Sequence, residues 1–393
     1  MKDKIIAHIK QNGPLSVDGY MAMCLYDPQQ GYYNKKPPFG KAPFGKDGDF
    51  ITAPELTPLF GEMLGLWVAD VWAQMGQPTS FNLIELGPGS GVLAADMLHA
   101  LEKAAPACLA ACRLHLVEIS PALQAVQEKN LKHAPCPVKW HERINTTPQE
   151  NAVAIGNELL DALPVKQYAK KADGHYYERL VTQKQGELAF TLAPTPAAMA
   201  PQSTRPIIEQ SPAMNTLLQD LKKHLQHGVV LLLDYGSNSA FFKENAGQNN
   251  VGKDNADQDN ARNGEGDTLQ AVQNHQYTCI FAAPGEADLT WHISFQDVAA
   301  IMGREKCAVT DMGLFLTELG LPVRAEQAHR AANATANGTA TQAHIEATTQ
   351  RLLDPNQMGR HFKVLCWQGR TDIAPAGFLH LKNNNPEQQK KEK

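Results

Sequence analysis

The sequence predicts an α/β fold in which a mostly parallel sheet is covered by helices on both faces, and three observations lead there. Short apolar strand patterns alternate with helix patterns from Phe81 onward. The first of them, in "FNLIELGPGSGVLAADML", runs into a Gly-x-Gly-x-Gly turn and straight on into a helix pattern. The chain has 393 residues, 43% of them hydrophobic, which is enough for a substantial core and more than one core usually holds.

Taken in order, residues 1 to 30 read as a helical start, with Ile5, Ile6 and Ile9, then Met21, Met23 and Leu25, closed by the turn "YDPQQGYY". The segment from Asn34 to Glu55 carries too many prolines and glycines for regular structure. In "LTPLFGEMLGLWVADVWAQMG", Phe60, Leu64, Trp67, Val68 and Val71 fall at helical spacing. Strand patterns follow in "RLHLVE" (113–118), "VKWHE", "NAVAIGNE" (151–158), "GVVLLLDYG" (228–236) and "HFKVLCWQG" (361–369). A Rossmann-like core is therefore expected over residues 56–240 and 351–370, after an N-terminal helical segment and covering loop (1–55). Residues 241–350 read as a substrate-side insertion. Within it, Lys243 to Gly266 is so rich in Asn, Asp, Gln and Gly that a disordered loop is expected. Residues 328–350 are alanine-rich and helix-compatible, weakened by Gly338 and the threonines, and the tail 383–393 is expected to be disordered.

A net charge of -5 argues against wholesale nucleic-acid binding and favours protein or small-molecule partners. Seven scattered cysteines do not form the framework of a secreted protein, and "MKDKIIAHIK" has the character of neither a signal nor a transit peptide. No apolar run approaches the roughly 20 residues of a membrane helix. The expectation is a cytoplasmic protein without membrane insertion. Cys108 with Cys112, and His224 with His227 on a polar helix face, lack further ligands at metal-binding spacing, so no metal is expected. Gly-x-Ser-x-Gly and Walker patterns are absent.

The ligand of the glycine turn can be narrowed. Gly87, Gly89 and Gly91 are followed by Val92, which fails the Gly-x-Gly-x-x-Gly form that seats a dinucleotide pyrophosphate. Glu85 at the end of the strand would repel a pyrophosphate. It suits positive groups, such as the amino group and sulfonium of S-adenosylmethionine. Glu118, ending the next strand pattern, is placed to accept hydrogen bonds from ribose hydroxyls, with Ile119 beside it on the donor side. The plainer alternative is a tight strand-helix turn with a solvated Glu118.

Seven motifs, "GDFITAPELTPLFGE", "ELGPGSG", "GNELLDALPV", "LLLDYG", "GDTLQAV", "PGEADLTWHISF" and "MGRHFKVL", occur in one order between about Pro14 and Leu365. Together they resemble the MidA-like family of class I methyltransferases, which includes the mitochondrial arginine methyltransferase needed for respiratory complex I assembly. Ser90 departs from the resemblance, since many relatives carry Arg there, and the Asn-rich insertion is also peculiar to this chain. The resemblance implies an S-adenosylmethionine-dependent methyltransferase acting on an arginine of a complex I subunit.

Arginine adds a chemical demand, because its guanidinium is charged and carboxylates must hold it while a proton leaves. "NELLD" offers Glu158 and Asp161 at the carboxyl edge of the sheet, on one face if a helical turn starts there; this pair is the expected clamp. Asp161 reads equally well as a helix cap or a partner of Lys166. Asn157 is expected to contact donor or acceptor, or to fix the turn. Asp49, Thr52 and Glu55 of the covering loop, Asp234 and Tyr235 after the most apolar strand, and Glu286, Asp288 and His292 are expected on the substrate side, each with a capping or strand-end role as the alternative. Two other readings stay open at this stage: a small-molecule methyltransferase, and a non-catalytic assembly chaperone that binds the donor as a structural ligand.

Overall fold

The computed structural model describes residues 1–35, 52–198, 203–238, 266–332, 338–370 and 373–378. The expected loop at 243–266, except for Gly266, the tail 383–393 and Asp49 lie outside the described residues. The chain divides into two compact units, a smaller one of residues 1–35, 160–198, 203–217 and 266–294, and a larger one holding the rest. The linear division at 56, 240 and 351 did not draw this grouping: residues 160–217 leave the expected core for the smaller unit, and 295–350 join the larger.

The larger unit is built on seven strands: β1 (Phe81–Leu86), β2 (Cys112–Val117), β3 (Val138–His141), β4 (Ala152–Asn157), β5 (Val229–Ser237), β6 (Cys307–Asp311) and β7 (Phe362–Gln368). Their order is β6-β7-β5-β4-β1-β2-β3. The five strands from β5 to β3 run parallel, with Glu85 beside Leu116 and Ile155, and Leu233 beside Asn157. β7 lies antiparallel to both β5 and β6. β1 is buried along its whole length and β5 up to Asp234, the reason both read as continuous apolar runs.

Three helices position the site. α1 (Pro58–Gln74) starts at Thr57, whose Oγ1 accepts the Leu59 N–H at 3.4 Å, with Pro58 in its first turn. α2 (Val92–Ala104) leaves the glycine turn with Gly91 as its cap. The two helices approach closely because α1 carries glycine: a Cβ on Gly65 would sit 2.8 Å from the Met97 carbonyl oxygen. Around this contact Phe60, Leu64, Trp67 and Val68 of α1 and Met97, Leu98 and Leu101 of α2 are buried on the sheet. α3 (Pro121–Asn130) is capped by Ser120, whose Oγ accepts from Leu123 N–H at 3.3 Å.

The smaller unit holds the helices Lys2–Asn12 and Val17–Tyr26 and two antiparallel sheets. The hairpin between Gln270–Gln273 and Gln276–Thr278 turns at Asn274 and His275, φ 51° and 60°, the paired left-handed conformation of a tight hairpin. Its core includes a polar network in which Gln167 donates to Glu209 at 2.8 Å and to Asp267 at 2.7 Å, while Arg179 pairs with Asp267. Burial is the first cause that pushes the Glu209 carboxyl up to about 7. The alanine-rich region is helical over Leu321–Ala332 and Gly338–Leu353, within the larger unit.

Candidate functional site

The carboxyl edge of the sheet in the larger unit gathers Glu85, the glycine turn, Glu118, Asn157 and Glu158. All three turn glycines are left-handed, with φ 60° at Gly87, 55° at Gly89 and 81° at Gly91. At Gly87 a Cβ would also lie 2.8 Å from Leu159 Cδ1, so a side chain here would displace Leu159 as well as strain the backbone. The turn is held by Gly87 N–H on the Val117 carbonyl (3.0 Å) and Gly91 N–H on the Pro88 carbonyl (2.8 Å).

Glu85 is 2% exposed, and its Oε2 has no hydrogen-bond partner among the described residues. Burial pushes its carboxyl up to about 8. Glu118 is buried as well and raised, chiefly by burial, against the lowering effect of its hydrogen bonds. Its Oε1 accepts Ser120 N–H at 2.8 Å and its Oε2 accepts Gln127 Nε2 at 3.1 Å. Ile119 next to it is 62% exposed.

Glu158 follows β4 with φ 50°, a left-handed conformation that costs a non-glycine residue energy. Its N–H donates to the Leu233 carbonyl at 2.9 Å. Its Oε1 accepts from Ala53 N–H at 3.0 Å and from Asn157 Nδ2 at 3.1 Å, while the buried Asn157 Oδ1 has no partner among the described residues. The short helix Ala53–Leu56 is thus tied to β4 at one end. At the other, Glu55 Oε1 accepts from Ser90 Oγ in the glycine turn at 2.6 Å. Thr52 precedes this helix and makes no side-chain cap bond.

Three expectations need correction. No helical turn forms over 158–161, which are bends and turn, so the one-face argument for Glu158 with Asp161 does not apply; Asp161 groups with the smaller unit, where its carbonyl accepts from Trp291 N–H. No described helix starts at it, and Lys166 forms an ion pair with Glu178 at 2.9 Å. His224 is not on a polar face but buried, with Nε2 2.9 Å from the Thr147 carbonyl oxygen.

The remaining candidates have local partners. Asp234 is fully buried and accepts Tyr235 N–H at 2.8 Å, and the Tyr235 ring meets Phe362 edge-on. In the smaller unit Glu286 pairs with Lys35, Asp288 accepts from Tyr33 Oη at 3.0 Å, and His292 N–H donates to Thr268 Oγ1 at 2.9 Å. Sequence reasoning missed Gln127, fully buried, and Asp96 on α2, whose carboxyl is pushed up to about 7 by burial and then by Glu62 and Glu55. Gln127 offers a faint signal, four residues after Leu123 on the buried side of its helix.

Residues 63–313 match the profile of a family of S-adenosyl-L-methionine-dependent methyltransferases. The chain belongs to this family. It is 30% identical to the mitochondrial "Protein arginine methyltransferase NDUFAF7 homolog" of Drosophila melanogaster, over 91% of this chain and 82% of that one. To the mitochondrial NDUFAF7 protein of Bos taurus it is 28% identical, over 97% of this chain and 84% of the relative. A Burkholderia thailandensis protein crystallised with S-adenosyl-homocysteine superposes with a TM-score of 0.77 at 25% identity, covering 96% of this chain and 93% of that one. The expected Rossmann-like methyltransferase fold and S-adenosylmethionine as donor therefore stand. The cytoplasmic expectation does not: the fly, cattle and Caenorhabditis elegans relatives are named as mitochondrial proteins, so the residues of the N-terminus were no guide to a compartment.

The residues at the carboxyl edge fit this donor. Glu85 presents a buried carboxyl oxygen with no partner among the described residues, which a cationic group would satisfy and a pyrophosphate would not. The left-handed glycines put no side chain of their own between the turn and a ligand, and Glu118 keeps acceptor capacity toward hydroxyls.

Proposed function

We propose that this methyltransferase acts on an arginine side chain of a protein substrate, a subunit of the respiratory complex I type, during assembly. What carries the reading is that relatives matching 82–97% of this chain are named protein arginine methyltransferases. The acidic character of the carboxyl edge supports it, because a guanidinium stays protonated until a carboxylate takes its proton.

In this reading Glu85, Gly87, Gly89, Gly91, Glu118, Ile119 and Asn157 hold the donor. S-adenosylmethionine, once bound, supplies a methyl group made electrophilic by its sulfonium. Glu158 holds the guanidinium of the substrate, directs one nitrogen toward that methyl and receives the proton this nitrogen loses. Its Oε1 is already fixed by Ala53 N–H and Asn157, so the carboxylate need not reorganise when the substrate arrives. Glu55, tied to Ser90, is the next carboxylate in line for the same task.

The experiment is incubation of the purified protein with methyl-labelled donor and lysate from cells lacking it. A labelled polypeptide that releases methylarginine on hydrolysis supports the proposal. Label only in small molecules, or in another side chain, refutes it.

A further inference from the structure

We propose that Gln127 is a positioning residue of the donor site, holding Glu118 and the glycine turn in one fixed relation so that the carboxylate meets the ribose hydroxyls. The proposal rests on the assignment of Glu118 to the ribose. Gln127 lies on α3 with its side chain fully buried, one helical repeat after Leu123, where packing alone would favour an apolar residue. Its carboxamide instead makes three hydrogen bonds. Nε2 donates to the Gly89 carbonyl at 2.9 Å and to Glu118 Oε2 at 3.1 Å, and Oε1 accepts from Trp140 Nε1 at 3.0 Å. Because indole N–H only donates, Trp140 fixes which end of the amide faces it, and both amide protons are thereby turned toward the donor site.

The geometry has a specific consequence. One amide group reads two separate elements, the turn after β1 and the end of β2, and adds a side-chain link at Gly89 and Glu118 beyond the Gly87 N–H to Val117 backbone bond. The stem takes part as well: a Cβ on Gly91 would fall 3.4 Å from Gln127 Cγ, so the side chain packs directly under the turn. On its other oxygen Glu118 is held by Ser120 N–H, at the cap of the same helix. Ser120 and Gln127 therefore clamp the carboxylate from both ends of α3, with a neutral donor on each oxygen, which leaves its charge for the ligand.

Calorimetric titration with S-adenosylhomocysteine and with its 2′-deoxyribose analogue tests this without reference to turnover. The wild-type protein is expected to prefer the natural ribose by roughly tenfold or more, the worth of a hydrogen bond to a charged acceptor. Gln127→Met preserves length and apolar packing, and is expected to bring that ratio below about threefold while the melting profile stays cooperative. A folded Gln127→Met protein that keeps the wild-type ratio, with both affinities unchanged or falling in parallel, overturns the proposal. Should Gln127→Met not fold, Trp140→Phe carries the test: it removes the bond that orients the amide, and an unchanged ratio in that variant is equally fatal. Glu118→Gln separates the two assignments. If it leaves the ratio intact, the ribose reading fails; if it collapses the ratio and the Gln127 and Trp140 variants do not, only the positioning role of Gln127 fails.

Discussion

Two sets of buried polar groups lie on β1 and β2, and they are treated in opposite ways. Toward the carboxyl edge stand Glu85 and Glu118, the first with an unpartnered oxygen, next to left-handed glycines and the left-handed Glu158. Three residues earlier on β1, Asn82 accepts at Oδ1 opposite His115 Nε2 (3.1 Å) and donates to the Glu150 carbonyl (2.7 Å). His115 Nδ1 meets His141 Nε2 at 2.9 Å, and His141 Nδ1 lies 3.1 Å from Thr146 Oγ1. Every nitrogen of this second set is engaged, as expected of polar groups that serve the fold. A buried acid on the same strand, with an oxygen that no described residue satisfies, fits the proposal that it faces a ligand.

The contrast can be broken in four ways. The largest effect is expected at Glu158→Gln, which keeps the shape and removes the charge: donor affinity in calorimetry should be retained while methyl transfer falls by roughly 10²-fold or more. Undiminished turnover would move the substrate carboxylate to Glu55. Next is Glu85→Gln, which should weaken donor binding by about tenfold to a hundredfold and yet stabilise the unliganded protein. The sign follows from the raised carboxyl: folded Glu85 keeps its proton up to about 8, whereas the unfolded chain ionises near 4.5, so its contribution to stability falls as pH rises through that window. The melting temperature of Glu85→Gln should therefore exceed wild type most at pH 8 to 9 and match it near pH 4; a lower value at high pH would show that the acid belongs to the fold after all.

His115→Leu probes the other set. It leaves Asn82 Oδ1 and His141 Nε2 facing an apolar group, and a loss of about 2–3 kcal/mol in denaturant unfolding is expected, with donor affinity of the folded fraction unchanged. Here the pH dependence runs the other way. Burial, and then His141, push the His115 imidazole down to about 4, so the folded state resists protonation and wild-type stability should decline as pH falls from about 6.5 to about 4. The smallest effect is expected at Ser90→Ala, which removes the 2.6 Å bond to Glu55 and should cost about 0.5–1.5 kcal/mol with donor affinity changed less than about threefold.

The sheet was legible because its central strands are buried on both faces, so "FNLIEL" and "GVVLLLDYG" show runs that only buried strands can carry. α1 was legible from its periodicity, and the donor turn from three glycines whose positive φ no other residue adopts as cheaply. What stayed hidden depends on contacts distant in sequence. Gln127 reads as an ordinary polar residue of "PALQAVQEKN" until Gly89, Glu118 and Trp140 surround it. The antiparallel strands of the smaller unit, such as Tyr176–Lys184, mix buried and half-buried residues without a regular alternation, so they do not stand out. At Glu158, helical spacing misled because the chain there turns left-handed instead of entering a helix.

The position of β7 sets a condition on how this protein is made. It is the last strand of the described residues, yet it lies between β5 and β6, pairing with Val229 to Tyr235 on one side and Cys307 to Asp311 on the other. During synthesis the most apolar strand of the sheet therefore waits with one edge bare for more than a hundred further residues, a bare edge being a ready template for another chain. Translation stalled before Phe362 would release a sticky nascent chain, whereas a stop just after Gly369 would let the ladder close.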